Sequence, residues 1–282
     1  MRKSLDGIEY NYIDPTGNIT VLVSSKVDIN LQPEIADMIM KKEPTCEQVG
    51  FVDNSDKADI RLRMAAGEFC GNATMSTAAL FCEEHTTGVG KSETVSVESS
   101  GCDHVIEVNI TRLPDIDNRH AYTGAVDMPP VKEIKNHSFE YMGRRFDCPL
   151  VMFEGISHII FNEDSNMLSE TEAEEAIRKW CDDISCDALG IMHISSETVS
   201  DSIGGNSDIN MEINLRPLVY VRKIESLFWE NSCASGTTAV GAYYAKQSPG
   251  HSALLTAHEP GGVLSVHSRN DGHLILSGTV LI

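Results

Sequence analysis

Hydrophobic and polar residues alternate with a period of two along much of the chain. That spacing predicts strands, because successive side chains of a strand point to opposite faces. Residues 8–13 and 19–23 show it on either side of Asp14-Pro15-Thr16-Gly17-Asn18, a turn-forming run, so the pair reads as a hairpin. Over residues 32–41 the apolar spacing becomes helical, and strands are expected again at 48–52, 60–64, 93–98 and 105–110. In the second half the same rules predict strands at 151–153, 158–161, 189–194 and 218–221. They also predict a helix over 169–181 and a closing hairpin from 261–266 and 274–278.

Two stretches stand apart as near-copies of one local pattern: Gly67-Glu68-Phe69-Cys70-Gly71-Asn72-Ala73-Thr74 and Glu230-Asn231-Ser232-Cys233-Ala234-Ser235-Gly236-Thr237. Each is followed by small and apolar residues, so each cysteine is expected to end a turn and open a buried helix. A thiol there sits beside unpaired backbone N–H groups and the positive end of the helix dipole, which favours the thiolate. The same N–H groups can hold a carboxylate. A buried structural cysteine beside a glycine turn is the rival reading of either site alone. The repetition favours a pair of thiols, Cys70 and Cys233, serving one small acid as base and acid. Both halves run strands, helix, strands, cysteine helix, strands, which predicts an α+β duplication with the cleft between the halves and Met128-Pro129-Pro130 as linker.

Composition narrows the function classes. A chain of 282 residues, 41% hydrophobic, supports a sizeable core. No apolar run approaches the roughly 18 residues of a membrane span. The start, Met1-Arg2-Lys3-Ser4, leads into polar sequence, so a cytoplasmic location is expected. A net charge of −20 argues against nucleic-acid and anionic membrane partners. Glu170, Glu172, Glu174 and Glu175 read as a solvated helix face. The eight cysteines lack framework spacing and are expected as free thiols. No Cys-x-x-Cys and no histidine cluster marks a metal site, and the histidines at 120, 137, 193, 251, 258, 267 and 273 read as solvated or packed.

Six blocks spanning nearly the whole chain now carry a resemblance: Asp14 to Asn18, Cys46-Glu47-Gln48-Val49-Gly50-Phe51, Gly67 to Met75, Pro217 to Val221, Trp229 to Thr237 and Glu259-Pro260-Gly261-Gly262. Together they resemble the cofactor-independent, two-cysteine amino-acid racemases and epimerases of the diaminopimelate epimerase-like superfamily. Within it, the chain is most similar to the histidine racemases of metallophore (staphylopine-type) biosynthesis.

The resemblance implies an α+β, diaminopimelate epimerase-like fold of two pseudo-symmetric domains, each a β-barrel-like sheet around a central helix. Residues 1–128 plus 267–282 would form the domain with Cys70, and residues 129–266 the domain with Cys233. The active site would lie in the cleft between them, with no cofactor and no metal. Gly71, Asn72, Ser235, Gly236 and Thr237 match positions that receive the substrate carboxylate, and Asn18 joins them from its turn, where turn geometry alone also accounts for it. Glu47, His158, Glu225 and Glu230 are candidate supporting acids and bases. Glu68 is equally a capping or surface residue, and a satisfied core histidine is the rival for His158.

The departures from diaminopimelate epimerases bear on substrate. Where those enzymes have Glu-Arg-Gly, this chain has Glu225-Ser226-Leu227, which removes the fork-shaped receptor for a distal carboxylate unless Arg216 or Arg222 points inward. A neutral or ring side chain is favoured, and the expected function is pyridoxal-phosphate-independent racemisation of histidine. The alternatives are diaminopimelate epimerase, racemisation of another amino acid, or a non-catalytic amino-acid-binding protein, which would not need both thiols. The expected partner is a small-molecule amino acid, and the sequence leaves a homodimer open.

Overall fold

The computed structural model describes residues 2–85, 88–162, 168–201, 209–247 and 252–282. The chain divides into two compact units, Met1–Asp127 with Leu276–Ile282, and Met128–Ile275.

The first unit begins with β1 (Arg2–Leu5), β2 (Ile8–Pro15) and β3 (Thr20–Val23). β2 and β3 form the expected hairpin, with Tyr10 opposite Val23 and Ile13 opposite Thr20. Helix α1 (Gln32–Lys42) then crosses to β4 (Gln48–Asp53), which lies parallel to β3, and β5 (Ile60–Met64) returns antiparallel to it. Helix α2 (Gly71–Glu84) makes a second crossover, to β6 (Ser92–Ser99), parallel to β5, before β7 (Ile106–Arg112) and β8 (Ala121–Asp127) continue antiparallel. Parallel neighbours need such long connections because the chain must return to the starting end of the sheet.

α2 is buried at every position from Gly71 to Leu80 and packs against β2 through β8. An amphipathic helix has one polar face. A helix that is small and apolar all round has no face to give to water and belongs inside a sheet. α1 is the amphipathic counterpart: Ala36 and Ile39 cover Tyr10, Val21, Val23, Val49 and Phe51 from outside.

The second unit repeats this order. β9 (Glu133–Tyr141) and β10 (Arg144–Met152) form a hairpin with Phe139 opposite Phe146, and β11 (Ser157–Asn162) pairs antiparallel to β10. Helix α3 (Glu170–Asp183) crosses to β12 (Ala188–Asp201), parallel to β11, and β13 (Ile209–Val221) returns antiparallel with a bulge between Ile194 and Ser196. After β14 (Ser226–Trp229), helix α4 (Ala234–Gln247) crosses to β15 (Ala253–Glu259), parallel to β13. β16 (Gly262–Ser268) pairs antiparallel to β15. β17 (Leu274–Leu281) follows a turn in which Arg269 N–H donates to the His273 carbonyl, and its end pairs with β2, Val280 opposite Pro15.

α4 is buried from Gly236 to Ala242 and packs against β10, β11, β12, β15 and β16. α3 takes the outer position. Ala173, Ala176, Ile177 and Trp180 recur at helical spacing and pack on Phe139, Phe146, Ile159 and Phe161, while Trp180 Nε1 donates to the Glu140 carbonyl at 3.1 Å. Its acidic run is more than a solvated face. Glu172 completes a capping box with Ser169, Glu174 accepts from Trp229 Nε1 at 2.9 Å, Glu170 pairs with Arg216, and Glu175 accepts from Tyr141.

The strand expectations fall short in extent. β12 and β13 run well beyond residues 189–194 and 218–221, and β1, β8, β9, β14 and β15 go unread by periodicity. β9, Glu-Ile-Lys-Asn-His-Ser-Phe-Glu-Tyr, buries only Phe139 and Tyr141, so it carries little apolar alternation to detect. The one expected packed histidine at 251 lies outside the described residues. No described helix is long and apolar enough to cross a membrane.

Candidate active site

Cys70 occupies the N-cap of α2 with extended dihedrals (φ −135°, ψ 114°), and its sulfur accepts from the Ala73 N–H at 3.4 Å. Thr74 secures the turn, its hydroxyl donating to the Cys70 carbonyl at 2.7 Å. Beside the thiol, a chain of side chains runs through the first unit. Cys70 Sγ donates to Gln48 Oε1 at 2.7 Å, Gln48 Nε2 donates to Asn18 Oδ1, and Asn18 Nδ2 donates to Glu47 Oε2 at 2.7 Å. Asn18 is completely buried in the turn after β2, and Gln48 opens β4, so two tight backbone elements hold the chain in place. An expected acid, Glu47, is linked to Cys70 through the two amides Asn18 and Gln48.

Gly71 and Asn72, the first residues of α2, are buried beside the thiol. Glu68 is an exposed residue, and desolvation of its carboxyl raises its pKa.

In the second unit Cys233 precedes α4 and is 5% exposed. Its backbone N–H donates to Glu259 Oε2 at 2.7 Å, and Glu259 Oε1 meets the Thr237 hydroxyl. Thr237 also donates to the Cys233 carbonyl, at 2.8 Å through its hydroxyl and 2.9 Å through its N–H. Ser235 Oγ lies 3.7 Å from the Cys233 sulfur and 3.0 Å from His158 Nε2. His158, on β11, is completely buried, and burial lowers its pKa to about 3, so the ring is neutral.

The helix-terminus argument alone favoured a thiolate, and at Cys233 it is outweighed. Desolvation first, then Glu230 and Glu259, raise the Cys233 pKa well above the ordinary value, with the Gly236 N–H opposing them. One turn of helix dipole is too weak to offset full burial beside two carboxyl groups. Glu259 itself is pushed up to about 8 by burial, with its bonds to Thr237 and the Cys233 N–H acting against the shift.

Close backbone approach explains two glycines of this unit. A Cβ on Gly236 would lie 2.1 Å from Met192 Sδ and 3.2 Å from Cys233 Sγ, and one on Gly190 would lie 2.3 Å from His158 Nδ1.

Of the expected supporting groups, Glu230 acts on Cys233 and His158 reaches it through Ser235. Glu225 does neither. It takes a left-handed φ of 51° in an exposed turn after residues 222–224, and the groups acting on Cys233 are Glu230 and Glu259 instead. Gln48 and Glu259 escaped the sequence reading although both stand in the blocks singled out above. An amide beside a thiol has no sequence signature, and Glu259 is 26 residues from its partner.

Both candidate receptors for a distal carboxylate are committed elsewhere. Arg216 pairs with Glu170 at 2.6 Å and lies over the Trp229 ring, and Arg222 donates to the Cys181 carbonyl and pairs with Asp182. Among the described residues no group of three or more His, Cys, Asp or Glu is placed to hold a metal ion.

Comparison with known proteins follows the same line. The family profile described as histidine racemase CntK N-terminal domain matches residues 7–280. A histidine racemase from Fusobacterium nucleatum is 31% identical over 281 residues, covering 98% of this chain and 94% of the relative. One from Staphylococcus aureus is 29% identical, covering 93% and 89%. Among solved structures, a Bacillus anthracis phenazine biosynthesis protein of the PhzF family aligns with a TM-score of 0.61 at 15% identity, over 98% of this chain and 97% of that one. A hydroxyproline epimerase from Agrobacterium vitis, with bound trans-4-hydroxy-L-proline, aligns with a TM-score of 0.60 at 10% identity, over 97% and 89%. These structures share the fold.

Proposed function

From the premise that the chain belongs to the histidine racemase family, we propose that it interconverts L- and D-histidine by moving the Cα proton between two thiols. One observation carries the reading: each unit presents a cysteine at the buried start of a helix, Cys70 before α2 and Cys233 before α4. On this reading both thiols, and the helix N-terminal donors beside each, serve one small carboxylate.

The Cα–H of an amino acid is a very weak acid, so its removal needs donors aimed at the carboxylate in a water-poor site. Backbone groups around Gly71 and Asn72 in one unit, and Ser235, Gly236 and Thr237 in the other, are the donors assigned here. One cysteine, as thiolate, takes the proton from one face of Cα and becomes a thiol. The other, as thiol, delivers its proton to the opposite face and becomes a thiolate. Inversion follows in either direction, and the next turnover runs with the roles exchanged.

This reading also takes the chain as two diaminopimelate epimerase-like domains, 1–128 plus 267–282 and 129–266, whereas the compact units place residues 267–275 with the second unit. Glu47, through Asn18 and Gln48, orients the Cys70 thiol, and His158, through Ser235, is the group assigned to exchange a proton with Cys233. The commitment of Arg216 and Arg222 to Glu170 and Asp182 supports a substrate with no distal carboxylate.

The test is proton NMR of L-histidine in D₂O with reduced wild-type protein, Cys70→Ser and Cys233→Ser, following Cα–H exchange and optical rotation. Exchange with loss of rotation in the wild type alone supports two-thiol racemisation of histidine. No exchange with histidine, but exchange with another amino acid, sinks the substrate assignment and keeps the chemistry.

A further inference from the structure

The way α3 ends brings two thiols outside the candidate site together. Ser185 takes a left-handed φ of 55° just past the helix C-cap, Ile184. Its N–H donates to the Asp182 carbonyl at 3.1 Å, and the Cys186 N–H donates to the Cys181 carbonyl at 3.2 Å. These two bonds around a left-handed residue make a Schellman motif, whose backbone sets the second residue past the cap against the third before it, commonly as an apolar contact. Here both positions are cysteine. Their sulfurs lie 3.5 Å apart, and Cys181 Sγ lies 3.3 Å from the Cys186 carbonyl. Cys181 is completely buried in the core beneath α3, while Cys186 is half-buried and reaches solvent. Arg222 braces the same corner. Its guanidinium donates to the Cys181 carbonyl and pairs with Asp182 at 3.1 Å, and its backbone N–H donates to the Asp187 carbonyl at 2.9 Å. Its Nε is buried with no hydrogen-bond partner among the described residues, so the guanidinium keeps a donor in reserve beside the pair.

We propose that Cys181 and Cys186 form a thiol modification site, closing in the folded protein to a reversible disulfide that clamps the end of α3 to the segment leading into β12. The proposal does not draw on the racemase reading, since neither cysteine belongs to the candidate site. The oxidant is a low-molecular-weight disulfide. Cys186, as thiolate, attacks one sulfur of the oxidant, expels the other as a thiolate and forms a mixed disulfide. Cys181 then gives up its proton and attacks Cys186 Sγ, expelling the second thiolate. The two protons lost by the protein end on the two expelled thiolates, so two protein thiols are oxidised and one oxidant disulfide is reduced to two thiols. Exposure makes Cys186 the first to react, and the motif holds Cys181 in place for the second step. Burial first, then the neighbouring Cys181, push the Cys186 thiol up to about 12, with the Arg222 charge opposing them, so the pair rests as thiols until an oxidant arrives. Closure brings the sulfurs to the usual spacing of about 2 Å, a shift of about 1.5 Å that side-chain rotation can make with the backbone in place.

The test equilibrates the full chain, folded and in unfolding urea, with a series of reduced and oxidised glutathione mixtures, and maps the cysteines by peptide mass spectrometry. In the folded chain the peptide carrying both cysteines is expected to become lighter by two hydrogens and to regain them with dithiothreitol. A backbone that already sets the two thiols together favours closure, so the folded chain is expected to hold the bond in mixtures about tenfold more reducing than the unfolded chain does. In Cys181→Ser the reaction is expected to stop at one glutathione on Cys186, and in Cys186→Ser the buried Cys181 is expected to stay reduced. Two results overturn the proposal. One is a folded chain that holds the bond no better than the unfolded chain. The other is wild-type protein that accumulates glutathione on Cys186 without closing the disulfide.

Discussion

Cys70 and Cys233 occupy the same place on matching helices, and their surroundings are built from different chemistry. Around Cys70 the thiol meets an amide, Gln48, backed by another amide, Asn18, and a carboxyl, Glu47. Around Cys233 two carboxyl groups act directly, Glu230 on the thiol and Glu259 on the backbone N–H, with a neutral His158 one hydroxyl away. Cys70 is also the less buried of the pair. The helix terminus, which backbone geometry dictates, therefore recurs in both units, while the groups around the two thiols differ. Such a difference suits a reaction in which the two thiols start each turnover in opposite protonation states.

The strongest way to break the comparison is to remove each thiol. Cys70→Ser and Cys233→Ser are each expected to lower racemisation by about 10²–10⁴-fold, the usual range for a general acid or base, read by optical rotation. Equal and near-complete losses keep the two sites as partners. A variant that retains wild-type rotation decay reduces its cysteine to a packing role.

Next in size are the outer cores. Trp180→Ala, beneath α3, should cost about 3–5 kcal/mol, against about 2–5 kcal/mol for Ile39→Ala beneath α1, measured by urea unfolding. A loss below 1 kcal/mol at either site would show that the helix does not anchor its unit.

The glycines sharpen the contrast at the second cysteine. Gly190→Ala drives a methyl into His158 Nδ1 and should destabilise by about 1–3 kcal/mol, with racemisation falling further than Tm alone accounts for. Intact activity would separate His158 from the reaction.

The pH dependence of stability gives a subtler reading of the same unit. His158 and His193 have folded pKa values lowered to about 3 and about 4 by burial, so the unfolded chain binds protons the folded one refuses. Their contribution is present above the unfolded value near 6.5 and is lost as pH falls toward 4. Glu259 works oppositely. Its folded pKa is raised to about 8, so its contribution is present below the ordinary carboxyl range and lost as pH rises through 8. Wild type minus Glu259→Gln stability, from urea midpoints, should therefore decline between pH 5 and 9. A flat difference would mean an ionised Glu259. The smallest effect is expected at the α3 cap, where Ser169→Ala should cost about 1 kcal/mol.

Much of the scaffold is legible in the chain. The β2–β3 hairpin, the helix at 32–42 and the cysteine helices follow from local rules, namely a turn-forming run between alternating segments, a change of period, and small apolar residues after a glycine turn. β9 and the outer halves of β12 and β13 do not, because strands with one solvated face or a bulge lose the alternation that identifies them. At the site, Glu225 shows the limit of carrying a role by position: one left-handed residue turns it to solvent.

By itself, then, the sequence determined where helices begin, which residues are small enough to be sheathed by strands, and that two cysteines share one local context. These are properties of neighbours along the chain, set by dihedral preference and by the spacing of apolar side chains. Only the tertiary structure decided that Gln48 lies against Cys70, that Glu259 grips the turn at Cys233, and that Arg216 is spent on Glu170. A proton's free energy depends on burial and on charges within a few ångströms, and residues far apart in sequence acquire both only when the sheet closes around each helix.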